Sequence, residues 1–340
     1  MTSATAANRL PPEPAESPGP LVTQILAEVA GQAPFIPIAR FVLTGFARRL
    51  LAVLEHAMAT GTWLIVTALP GDGKSSALNQ FVALHAAVWV DEADGQRSRH
   101  VPVLRTRVSR GLMSADQLMN ALAHELGAVP GLRAFERRSW LVGAIVRAGV
   151  RLIVIDDAHE LTAAQLSYLR ELTDQLESRG HRIALVLLAA SVSTDPRVGN
   201  PWKMIVGHDL LAEQFRRRLN GPDPVVYVAG LSRPEVGQVL KTWEVLHREM
   251  FPDLALAKWT SSLFGWLTDA RNDPAHTGRV RMKHVVETVN AALGVAWAEG
   301  RPGLRDDGMD LYDAALRLTV RGFTYAVLDV DCRADQARPR

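Results

Sequence analysis

The chain has 340 residues, of which 48% are hydrophobic and 22% charged, and a formal net charge of +2. This is ordinary globular composition. It excludes a wholly disordered chain and supplies ample material for a core. The near balance of charge neither requires nor excludes a nucleic-acid partner. The single cysteine, Cys332, excludes an intramolecular disulfide and a cysteine-rich metal site.

Residues 1–20 carry Pro11, Pro12, Pro14, Pro18 and Pro20 and read as a flexible Pro-rich tail. From Arg40 to Met58 the apolar residues Phe41, Phe46, Leu50, Leu54 and Met58 recur at helical spacing. The run Trp63 to Thr67 then reads as a strand buried on both faces, ending in the turn Pro70-Gly71-Asp72-Gly73. Ser76 to Trp89 has helical character, and Val101 to Leu104 restarts a strand. Ser114 to Gln117 is a capping box opening a helix with Leu118, Leu122 and Leu126 on one face. A further helix is expected from Phe135 to Arg147.

Leu152 to Ile155 reads as the next buried strand, and Thr162 to Gln165 as a second capping box before a Leu-rich helix. Ile183 to Ala189 and Val225 to Val228 read as two more strands. Strands alternating with helices predict an α/β fold, a parallel sheet covered on both sides. After Gly230 the pattern turns helical, beginning with the capping box Ser232 to Glu235. The expected organisation is a tail over 1–20, an α/β domain with a helical lead-in over 21–230, a helical lid over 231–322 and a tail over 323–340. No run of about 18 apolar residues is present, so no membrane span is expected. The N-terminus lacks a basic-then-apolar signal pattern, and with one cysteine the chain reads as cytoplasmic.

Ala68-Leu69-Pro70-Gly71-Asp72-Gly73-Lys74-Ser75 nearly matches G-x-x-x-x-G-K-[ST], with Ala68 in place of the first glycine. Glycines let backbone N–H groups curl around phosphates, and the following helix N-terminus adds a favourable dipole. Pro70, Gly71, Asp72, Gly73, Lys74, Ser75 and Ser76 are the expected cofactor-binding residues. In this pattern Lys74 reaches the terminal phosphates of ATP, and the Ser75 hydroxyl ligates Mg²⁺. Asp72 puts a negative charge in the loop, which is unfavourable there. The predicted strand Leu152–Ile155 ends in Asp156 and Asp157, where open α/β sheets bind ligands. Asp156 suits the Mg²⁺ shell, and Asp157 suits orienting or deprotonating the attacking water. Alone, the pair also fits a strand-ending turn. No H-E-x-x-H, C-x-x-C or G-x-S-x-G pattern is present.

An apolar strand ending in Asp156-Asp157-Ala158-His159-Glu160-Leu161 resembles the Walker B region of AAA+ ATPases. More narrowly it resembles the TniB/TnsC/MuB group of transposition ATPases, whose usual pattern is Asp-Glu-x-His. Asp157 departs from that glutamate and is one methylene shorter, so slow or assembly-dependent hydrolysis is expected. The resemblance implies a P-loop fold of the AAA+/ASCE type followed by a helical lid, and extends over the order of elements in roughly residues 35–300. It implies a sensor-1 role for Ser191, which equally fits an ordinary strand-end serine. It implies an arginine finger acting on a neighbour's nucleotide from Arg216, Arg217 and Arg218, with Arg217 and Arg218 foremost. It also implies a sensor-2 role for Arg281 in Gly278-Arg279-Val280-Arg281. Each arginine fits a solvated surface role as well.

The partners implied are duplex DNA bound without sequence specificity, a transposase, a target-selection protein and further copies of the chain in a ring or filament. Arg97, Arg99, Arg105, Arg107 and Arg110, with Arg133, Arg137 and Arg138, form modest basic clusters that assembly would multiply. The expected function is an ATP-dependent regulator of DNA transposition. The alternatives are a signalling or defence NTPase that controls a protein partner without DNA, and a nucleotide-binding scaffold without useful hydrolysis.

Overall fold

The computed structural model describes residues 42–91, 97–108, 114–127, 134–191, 218–219, 225–270, 272–273 and 277–316. The tails expected over 1–20 and 323–340, and Arg110, Arg133, Arg216, Arg217 and Cys332, lie outside them. The elements run α1 (Gly45–Thr60), β1 (Trp63–Ala68), α2 (Lys74–Leu84), β2 (Val88–Asp91), β3 (Arg97–His100), β4 (Val103–Arg107), α3 (Ala115–Glu125), α4 (Ala134–Arg147) and β5 (Leu152–Asp156). They continue with α5 (Ala163–Glu177), β6 (Ala184–Ala190), β7 (Val225–Tyr227), α6 (Arg233–Leu246), α7 (Thr260–Leu267) and α8 (Met282–Ala298).

Five strands form one parallel sheet in the order β4-β5-β6-β1-β7. The strands β1 and β5, which carry the glycine turn and the acidic pair, are separated by β6. Both are wholly buried, as their uninterrupted apolar runs require in a sheet covered on two faces. Alternate residues feed two cores. Leu64, Val66, Leu152 and Val154 pack with α1 and α2, while Ile65, Ile153 and Ile155 pack with α3, α4 and α5.

Local chemistry sets the boundaries. Thr44 caps α1, its hydroxyl accepting from Ala47 N–H at 3.1 Å, so the helix starts at Gly45 rather than Arg40. Gly61 ends it with φ of 63°. The Ser114–Gln117 and Thr162–Gln165 capping boxes form as expected. At Ser232 the Glu235 carboxylate accepts from both the backbone N–H and the hydroxyl, each at 2.7 Å.

One stretch differs from the sequence reading. The helix expected up to Trp89 ends at Leu84, and Val88–Asp91 pairs antiparallel with Arg97–His100 as a hairpin. Arg97-Ser98-Arg99-His100 contains no apolar residue, so hydrophobic alternation could not mark it as a strand.

Among the described residues, the helices after β7 share a core with the sheet. Val236, Val239, Trp243, Phe251, Val285, Val289 and Leu293 join the same buried cluster as α1, α2 and one sheet face, across the boundary expected near 230. Among the described residues no helix is long and apolar enough to cross a membrane. Trp243 is fully buried in the shared cluster. Trp243→Ala is expected to lower stability by about 3–5 kcal/mol. Urea unfolding should show one cooperative transition shifted as a whole, rather than loss of a separate lid transition.

Candidate nucleotide site

The loop after β1 is shaped by its own backbone. Gly71 and Gly73 have φ of 87° and 98°, conformations that a side chain strains. The Asp72 carboxylate accepts from Leu69 N–H at 3.1 Å, and Asp72 N–H donates to the Leu69 carbonyl at 3.3 Å, closing a small ring. Lys74 Nζ donates to the carbonyls of Ala68 at 2.9 Å and Leu69 at 3.0 Å. Ala68, the departure from the glycine pattern, is the last residue of β1 and pairs with Ala190. It is not among the positive-φ residues, so the backbone does not call for glycine there.

The edge of the sheet converges on this loop. Ser191 directly follows β6, and its N–H donates to the Ala68 carbonyl at 3.0 Å. Ala190 N–H donates to His159 Nδ1 at 3.2 Å, which ties the end of β6 to the segment after β5. Asp156 is completely buried; its Oδ1 accepts from Asp157 N–H at 3.1 Å. Asp157 is the one positive-φ residue other than glycine among the described residues, at 54°. Aspartate tolerates this left-handed conformation better than most residues.

Each carboxylate has an arginine from β4. Arg105 lies 3.5 Å from Asp156 and also bonds Asn79 of α2. Arg107 Nε donates to Asp157 at 2.6 Å, and this pairing holds the guanidinium above its ordinary range. The sequence places these two arginines in a basic cluster expected to be available to DNA. The signal that they belong to this site is their alternation on one strand face, although no pattern in the sequence places β4 beside β5. Three other arginines of those clusters are also held within the chain. Arg99 donates to the Glu125 carbonyl at 3.1 Å, Arg137 bonds Asn120, and Arg138 lies 3.6 Å from Glu171.

The helical C-terminal region also reaches the loop. Val280 and Leu231 exchange two backbone hydrogen bonds, at 2.8 and 2.9 Å. Arg281 caps α8, and Lys283 N–H donates to the Gly71 carbonyl at 2.9 Å. The Arg281 charge acts on both Asp72 and Lys74. Burial pushes the Asp72 carboxyl up to about 6, against the pull of Lys74, Arg281 and the Leu69 N–H. Burial pushes the Lys74 ammonium below its usual range, opposed by Asp72, Asp156 and Asp157. Burial, with Arg281 and Lys283 nearby, pushes His284 down to about 4, so it stays neutral near pH 7.

Arg218 sits elsewhere. It packs over the Trp63 ring, 5.5 Å from its centroid, and pairs with Asp174 and Glu177. Trp63 begins β1, so Arg218 lies roughly 17 Å along the strand from the loop of its own chain.

The fold and these groups define a P-loop nucleotide-binding protein: a glycine turn from a buried strand into a helix, a lysine at its root and a carboxylate pair on a nearby strand end. An AAA domain matches residues 57–196. The chain is 25% identical over 141 residues to the Mu-like prophage FluMu DNA transposition protein B of Haemophilus influenzae, covering 42% of this chain and 44% of that protein. It thus spans less than half the length of that relative. Among solved structures it is similar to the Aeropyrum pernix ORC1 protein in complex with DNA, with a TM-score of 0.50 and 15% identity, over 82% of this chain and 66% of that one. It is also similar to a Walker-type ATPase of Pyrococcus abyssi, with a TM-score of 0.52 and 13% identity, over 91% and 81%. At such identities these structures speak for the fold. These matches liken residues 57–196 to an AAA domain and part of the chain to a DNA transposition protein.

That fold implies a nucleotide held with a divalent metal, and the residues fit one. The Ser75 hydroxyl and the buried Asp156 carboxylate are the hard oxygen donors such an ion takes alongside phosphates. Removing the Asp156 carboxylate strands Asp157 N–H and leaves Arg105 with Asn79 but no counter-charge from Asp156. Asp156→Ala is expected to destabilise by about 1–3 kcal/mol and Asp156→Asn, which keeps an acceptor, by less, measured by urea denaturation.

Proposed function

We propose that the chain binds ATP with Mg²⁺, hydrolyses it slowly or only when assembled, and uses the bound state to assemble on duplex DNA and recruit or activate a transposase. The observation that carries the nucleotide part is the convergence of the loop, Lys74, Ser75, Asp156 and Asp157 at the C-terminal ends of β1 and β5. Lys74 turns from the Ala68 and Leu69 carbonyls to the terminal phosphates, with the α2 N-terminus behind them. Mg²⁺, when bound to Ser75 and Asp156, neutralises phosphate charge. Asp157 orients the attacking water and accepts its proton, with Arg107 fixing the carboxylate. Ser191 stands beside the loop for a sensor-1 role, and Arg281 in the lid for a sensor-2 role.

Support for the DNA and transposase part comes from the similarity to a DNA transposition protein. The arginine acting on a neighbour's nucleotide is one of Arg216, Arg217 and Arg218, of which Arg218 pairs with Asp174 and Glu177 of its own chain. A second reading is favoured by the pairing of Arg105 and Arg107 with the carboxylates, which offsets part of the positive charge they would offer to DNA. In that reading the nucleotide state controls a protein partner without DNA.

Lys74→Ala should lose most ATP affinity in a titration with a fluorescent ATP analogue. Unchanged affinity in the folded variant would overturn the nucleotide reading. Asp157→Asn should retain binding but turn over about 10²- to 10⁴-fold more slowly. Sedimentation with duplex DNA, with and without ATP, should show ATP-dependent assembly that weakens with salt. Normal nucleotide binding without DNA binding at low salt would favour the second reading.

A further inference from the structure

The Asp72 carboxylate is only 2% exposed, in the loop assigned to the phosphates. One of its oxygens takes Leu69 N–H, while the other, Oδ1, is buried without a hydrogen-bond partner among the described residues. A Cβ on Gly230 would lie 3.1 Å from that oxygen and 2.9 Å from the Val280 carbonyl, so glycine at 230 lets the lid linker close over it. The groups facing Asp72 come from three elements: Lys74 at the start of α2, Arg281 at the N-cap of α8 and Tyr227 at the end of β7. Behind these, Arg279 and Asp273 face Tyr227, and Lys283 and His284 stand beside Arg281. The Tyr227 hydroxyl is likewise buried without a hydrogen-bond partner.

Shaping the loop needs only an acceptor for Leu69 N–H, which an uncharged side chain also supplies. The negative charge is therefore surplus to the loop's geometry, and it lies among the cations that nucleotide phosphates would use. We propose that Asp72 is a positioning residue that competes with nucleotide phosphate for Arg281 and Lys74, so that lid-to-loop closure and nucleotide affinity are set against each other through one carboxylate. The proposal rests on the nucleotide reading above. Phosphates entering the loop meet repulsion from the carboxylate and draw Arg281 from it. Because burial raises the carboxyl to about 6, the repulsion is in full force above neutral pH and fades as the pH falls through that value and the group takes up a proton.

The test is ATP-analogue affinity of the full chain with Mg²⁺ between pH 5 and 8.5, for the wild type, Asp72→Asn, Arg281→Ala and the double variant. Asp72→Asn should bind several-fold more tightly than the wild type at pH 8, with the gap closing toward pH 5. Its effect should shrink in the Arg281→Ala background, as two residues acting on one another require. Nucleotide-free melting gives an independent readout. The ionised carboxylate is destabilising above its raised pKa, so Asp72→Asn should melt higher at pH 8, with the advantage lost toward pH 4. Equal or weaker binding by a folded Asp72→Asn at pH 8, or full additivity with Arg281→Ala, overturns the proposal while leaving nucleotide binding intact. Failure of the wild type to bind the analogue at any pH overturns the nucleotide reading and this proposal with it.

Discussion

The carbonyl oxygen of Ala68 accepts from Lys74 Nζ and from Ser191 N–H at the same time. A backbone acceptor has two lone pairs, and here each goes to a different functional segment. Because β1 is buried along its whole length, that carbonyl is fixed in space by strands on either side. The lysine and the end of β6 therefore share a reference point on the rigid sheet rather than on the loop. His159 extends the arrangement by accepting from Ala190 N–H, which brings the segment after the acidic strand into the same frame. The loop can change shape while the groups around it keep their spacing.

Much of this was legible in the sequence because it follows from short-range rules. Buried strands announce themselves as apolar runs, capping boxes by Ser or Thr with Gln or Glu three residues on, and the loop by its glycines and lysine. The β2–β3 hairpin was not legible, since its second strand has no apolar residue and pairs only through the backbone and exposed side chains. The arginine partners of Asp156 and Asp157 were not legible either. They depend on which strand lies next to β5, a fact of topology rather than of local pattern. The shared core across Gly230 escaped for the same reason: a change from alternating elements to helices marks a change of architecture, not where side chains pack.

The site joins two arginines of β4 to two carboxylates, Asp156 at the end of β5 and Asp157 directly after it, with Lys74 and Asp72 nearby. Arg105 and Arg107 lower the negative charge that two adjacent carboxylates would present to a polyphosphate. They also hold the carboxylates in one orientation. The exposed Arg107 pair adds little to stability, so its weight falls on geometry at Asp157.

The left-handed backbone at Asp157 bears on why this residue is not the glutamate of the resembling group. Side chains that can fold back on their own peptide sit in that region with less strain than longer ones. A tight corner after β5 thus selects a short acid, and the short acid in turn has less reach toward a water over the loop. Backbone curvature and catalytic reach are then a single trait. A sequence that relaxed the corner could lengthen the acid, and one that kept the corner would hold its reach short.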